Sequence, residues 1–102
     1  MTEAEFNEQA ELALARIETA IDRDGDETEC NRSGNVLEIE CDNGQKIIVN
    51  RHDINQEIWV AARAGGFHFA WQDKRWYSPR DDSELFAKLS ALLAEQGEAI
   101  RF

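Results

Sequence analysis

Phe6, Ala10, Ala13, Leu14, Ile17 and Ile21 recur at helical spacing and form one apolar stripe, which predicts an amphipathic helix over 3–22. Leu12 falls off the stripe and is expected on an exposed flank. After Gly25 the period changes. Residues 36–41 (Val-Leu-Glu-Ile-Glu-Cys) and 46–50 (Lys-Ile-Ile-Val-Asn) alternate or run β-branched, and Asp42-Asn43-Gly44 between them is a hairpin turn signal, because Asn and Gly tolerate positive φ. Further strands are read over 58–62 and 66–71 and around Trp76-Tyr77. The acidic edge of the helix is expected to run on into a first strand near Glu29. Ser78-Pro79 then reads as the opening of a closing helix, with Pro where a missing N–H costs nothing and Asp81 or Asp82 as capping partners. Leu85, Phe86, Leu89, Leu92 and Leu93 supply that helix's buried face. Short consecutive strands between two amphipathic helices pack as an α+β two-layer sandwich. An antiparallel sheet of about five to six strands carries the N- and C-terminal helices on one face and leaves the other open. At 102 residues the chain is long enough for one such domain, spanning 1–102.

Charge changes this picture more than composition does. The hydrophobic fraction of 42% argues for a folded globule rather than a disordered acidic tail. The formal charge is −10, and ten acids against two bases lie within residues 1–29, so nearly all of it sits in the first third. Such crowding opposes folding and invites a cation or a basic partner, although a solvated face is the ordinary reading of a charge run. The acidic balance excludes nucleic acid as a natural partner, since phosphate contacts demand a basic surface. No apolar run is long enough to span a bilayer, and Met-Thr-Glu-Ala-Glu lacks the parts of a signal peptide. With only Cys30 and Cys41 there is no disulfide framework, so a reduced, cytoplasmic setting is expected.

The middle of the chain carries a resemblance. Asn43-Gly44-Gln45-Lys46-Ile47-Ile48-Val49-Asn50-Arg51 leads into Glu57-Ile58-Trp59-Val60-Ala61-Ala62, then Gly65-Gly66-Phe67-His68-Phe69 and Trp76. Together with the acidic first helix, Asp24-Gly25-Asp26 and the leucine-rich closing helix, this ordered set closely resembles the bacterial frataxin (CyaY) family. The resemblance implies a small, non-enzymatic iron-binding protein of iron–sulfur cluster assembly. Its implied partners are cysteine desulfurase and iron–sulfur scaffold proteins, and its role is to deliver iron or to regulate the rate of cluster formation. Two departures stand out: Glu57 where the family usually has Gln, and His52-Asp53-Ile54-Asn55 without the usual proline.

The residue chemistry agrees with that implication. Hard cations such as Fe²⁺ and Fe³⁺ accept carboxylates. Glu11, Glu18 and Asp22 fall within about 40° on the first helix, so two could share an ion. Asp24, Asp26, Glu27 and Glu29 continue the edge into the turn and strand. A calcium loop is broken at its glycine position, and no His/Cys metal motif appears, so iron binding is expected to be open, weak and reversible. Crowding is expected to raise the pKa values of these carboxylates. Alternation places Glu57, Trp59 and Ala61 on one strand face, opposite Ile58, Val60 and Ala62, so Trp59 is expected on the open face beside Asn50. Asn50, Glu57 and Trp59 are therefore the partner-binding candidates. His68 reads as a structural or surface strand residue, His52 as a loop residue, Cys30 as a small core residue or a soft-metal ligand, and Cys41 as core. No catalytic constellation appears. The rival readings are an acidic regulator whose metal binding is incidental and, more weakly, a mimic of nucleic acid. A monomer is expected, with metal-dependent oligomerisation left open.

Overall fold

A computed structural model describes residues Met1–Phe102. Helix α1 (Glu3–Asp24) begins at Thr2, whose hydroxyl accepts from Glu5 N while the Glu5 carboxylate accepts from Thr2 N, so two orphan donors are satisfied reciprocally. It buries Phe6, Ala10, Ala13, Leu14, Ile17, Ala20 and Ile21, while Leu12 stands exposed. Gly25 ends the helix by turning extended at φ −93° and ψ 98° while its N–H still donates to the Ile21 carbonyl, and a Cβ there would lie 2.8 Å from that oxygen and 2.9 Å from the Thr28 Cβ.

Seven strands follow: β1 (Glu29–Ser33), β2 (Val36–Glu40), β3 (Lys46–His52), β4 (Glu57–Ala62), β5 (Gly65–Gln72), β6 (Arg75–Ser78) and β7 (Ser83–Glu84). Every neighbour in sequence is a neighbour in space, and every pair is antiparallel. The sheet thus exceeds the expected count by the short β7. The turn at 41–45 follows its sequence signal: Gly44 adopts φ 84°, and the Asn43 side chain accepts from Gln45 N.

The closing helix α2 (Leu85–Glu95) starts six residues later than the Ser78-Pro79 signal suggested. Ser78 is instead drawn into β6, where it is 4% exposed and pairs with Ser83. Asp81 and Asp82, read as candidate caps, bind the Ser83 and Tyr77 hydroxyls. The cap is Glu84, whose carboxylate accepts from Phe86 N and Ala87 N. Both helices bury their stripes on one sheet face, together with Leu37, Ile39, Ile47, Val49, Ile58, Val60, Phe69 and Trp76. The opposite face stays open. This is the two-layer α+β sandwich the pattern implied.

Candidate functional site

The acidic flank divides into paired and unpaired carboxylates. Glu11 accepts from Arg32 at 2.7 Å and from Arg51 at 2.5 Å; Arg51 is 6% exposed and also donates to Asn7 and Asp53. Alternation explains the placement: Ile47, Val49 and Arg51 share the inward face of β3, and the last of them emerges beneath the first half of α1. Glu18 stands 4.0 Å from Arg32. Asp24 is bound by the Arg23 guanidinium and the Arg101 backbone N–H.

The expectation of raised pKa values is therefore overturned for Glu11 and Asp24. Hydrogen bonding to Arg32, with Arg51 adding to it, holds the Glu11 carboxyl below its ordinary value. Hydrogen bonds from Arg23 and the Arg101 backbone hold Asp24 far below the usual range. Sequence-local crowding lost to partners that only the fold supplies.

Asp22, Asp26, Glu27 and Glu29 make no ion pair within 4.0 Å. The structure brings Glu18, Asp22 and Glu29 to one shallow groove between the end of α1 and β1, lined also by Thr28 and Cys30. Asp26 and Glu27 stand exposed in the connecting turn. No three His, Cys, Asp or Glu side chains converge as a ready-made metal cage. Cys30 is half-buried rather than core, and burial together with Glu18 pushes its thiol up to about 11, so it is protonated at neutral pH. Cys41 is buried, as read.

The open sheet face holds the second set. Asn50 and Trp59 are Cα partners across β3 and β4, and Trp59 in turn pairs with His68 on β5. Trp59 is half-buried because two imidazoles cover it: His52 stacks at 4.1 Å and 8°, His68 at 4.3 Å and 5°. Its indole N–H donates to Glu57 at 2.9 Å. His52 closes β3 and is not a loop residue. His68 lies exposed on a strand, as read, but the stacking of both histidines on Trp59 and the Arg32/Arg51 pair escaped sequence reasoning. The signal for Arg51 and His52 lay in extending the alternation of 46–50 by two residues.

A two-layer α+β domain with an acidic helix edge and an aromatic open sheet face is the frataxin class of fold. A model of the frataxin-like domain matches residues 1–99, and the chain belongs to that family. It is similar to the iron–sulfur cluster assembly protein CyaY of Dechloromonas aromatica, 55% identical over 98% of this chain and 97% of that protein. The corresponding protein of Herminiimonas arsenicoxydans is 52% identical, over 95% of this chain and 91% of that one. Among solved structures, frataxin from Psychromonas ingrahamii superposes with a TM-score of 0.89 at 26% identity, covering 99% of this chain and 97% of that one. Trimeric frataxin from Saccharomyces cerevisiae, complexed with ferrous iron, shares the fold at a TM-score of 0.71 and 19% identity, over 94% and 86% of the two chains.

Proposed function

We propose that the protein is a cytoplasmic, non-enzymatic accessory factor of iron–sulfur cluster assembly. It binds iron weakly at its acidic edge and engages the cysteine desulfurase and scaffold machinery, delivering iron or setting the rate of cluster formation. Relatives above 50% identity are described as iron–sulfur cluster assembly proteins, which supports the process. The observation that carries the iron reading is the segregation of charge. Arginines occupy Glu11 and Asp24, while Asp22, Asp26, Glu27 and Glu29, with Glu18 beside them, stay open to a cation. Carboxylates in this exposed arrangement suit a hard ion held reversibly. The same charge steers the molecule toward a basic partner. Asn50, Glu57 and Trp59 give that encounter its register. No helix is long and apolar enough to cross a membrane.

Anaerobic calorimetric titration with ferrous iron tests the first half. Converting Asp22, Asp26, Glu27 and Glu29 to their amides is expected to lower affinity at least tenfold, about 1.4 kcal/mol. Equal affinities would remove the edge from the account. For docking, Trp59→Ala is expected to weaken desulfurase binding by about tenfold or more while the fold persists. The lack of a ready-made cage favours one second reading, an acidic regulator of the desulfurase whose metal binding is incidental. That reading tolerates negligible iron affinity but still requires the Trp59 effect.

A further inference from the structure

Trp59 sits in a cage of three side chains that nothing in the iron chemistry explains. His68 is its direct cross-strand partner on β5. His52, which pairs with Glu57, is its diagonal neighbour on β3. The three rings are nearly parallel, at 8° and 5°, with centroids 4.1 and 4.3 Å apart. That spacing is close to the roughly 4.8 Å between neighbouring strands. The rings therefore stack along the hydrogen-bonding direction of the sheet and stand on edge, instead of lying flat over it. Glu57 holds the third coordinate by accepting the indole N–H at 2.9 Å. His52 Nδ1 is covered and has no hydrogen-bond partner, so the stack rather than a bond at that atom sets the ring's place. Two faces and one N–H of the indole are thus fixed, and both torsions of a tryptophan side chain are spent before any partner arrives.

We infer that His52 and His68 are positioning residues that clamp Trp59 upright as a preorganised recognition side chain for a protein partner. The affinity arm of this inference rests on the docking role given to Trp59 above. Ordering a large side chain on association lowers affinity, and a partner meeting a clamped indole avoids that loss. The arrangement also accounts for Glu57, which fixes the indole N–H while keeping a carboxylate on the docking face.

The test uses the full chain labelled with ¹⁵N. The chain has three tryptophans, and the Trp59 indole N–H signal is assigned by its disappearance in Trp59→Phe. In the double variant His52→Ala/His68→Ala that signal is expected to shift, because two flanking ring currents vanish, and desulfurase affinity is expected to drop about fivefold to tenfold. His52→Phe/His68→Phe, which restores flat faces without imidazole polarity, is expected to recover both the signal's environment and affinity to within about threefold. Thermal melts of all variants check that the fold persists. An indole signal unmoved in the double alanine variant would overturn the clamp. So would a moved signal with unchanged affinity, provided that Trp59→Ala itself weakens binding. If Trp59→Ala leaves affinity intact, the docking reading fails instead, and the indole signal alone decides whether the clamp exists.

Discussion

Arg51 is the side chain on which most depends at the scale of single residues. It is 6% exposed, lies 5.5 Å from the Phe6 ring, and its fork serves Glu11, Asn7 and Asp53 at once. A guanidinium can do this and an ammonium cannot, because only the planar fork offers donors in several fixed directions. Arg51→Ala is expected to cost about 2–3 kcal/mol in urea denaturation, below the usual loss for a severed buried pair, because Glu11 and Asp53 can regain water. Arg51→Lys should recover less than half of that loss; full recovery would show that charge alone matters. Glu11 makes the linkage visible in pH. Its folded pKa is depressed by Arg32 and Arg51, so its contribution is fully present above the ordinary value of 4.5 and is lost as pH falls through the lower folded value. The stability gap between wild type and Glu11→Gln is therefore expected to be widest near neutrality and to shrink below about pH 4.5, which denaturant curves at pH 7 and 3 would show.

Among the elements, the ends decide more than the middles. Gly25→Ala forces a Cβ to 2.8 Å from the Ile21 carbonyl, and the end of α1 must shift to accept it. We expect a loss of about 1–3 kcal/mol. Glu84→Ala removes the acceptor for two N–H groups at the start of α2 and is expected to cost about 1 kcal/mol, or roughly 4–8 °C in melting temperature for a domain of this size. Those same ends mark where the sequence was and was not legible. The α1 stripe, the five strands β2 to β6 and the 41–45 turn could be read because periodicity and turn chemistry are local. The start of α2 could not, since Ser78 and the two aspartates carry the residue types of a helix cap while tertiary pairing of β6 with β7 claims the backbone. β1 shows only its start near Glu29, for another reason: as an edge strand it buries almost nothing, so Glu29–Ser33 lacks the alternation that betrays β2 and its extent could not be read. In the candidate site, charge was legible and pairing was not. Glu11 meets Arg32 and Arg51 across separations of 21 and 40 residues, and His52 meets Trp59 only once β3 and β4 are in register.

For the molecule as a whole, the helices cover one sheet face and leave the other free, so the anionic edge and the aromatic face occupy different surfaces and can act together. The edge carries a standing penalty: most of the −10 charge lies within residues 1–29, and only part of it is neutralised by arginines. Raising monovalent salt from 0.01 to 0.15 M shortens the screening length from about 30 Å to about 8 Å, so stability is expected to rise over that range. Each relieved like-charge neighbour contributes about 0.2–0.5 kcal/mol. Neutralising Asp22, Asp26, Glu27 and Glu29 together is thus expected to stabilise the fold by about 1 kcal/mol at low salt and to flatten the salt response. A divalent cation bound at the edge adds to screening by mass action, so at matched ionic strength it should raise the melting temperature of wild type further than sodium does. That surplus, and not the salt response itself, separates ion binding from mere screening. If the neutralised protein keeps the full divalent surplus, the cation binds elsewhere; if it keeps the full sodium response as well, the strain of crowded charge does not reside in this edge.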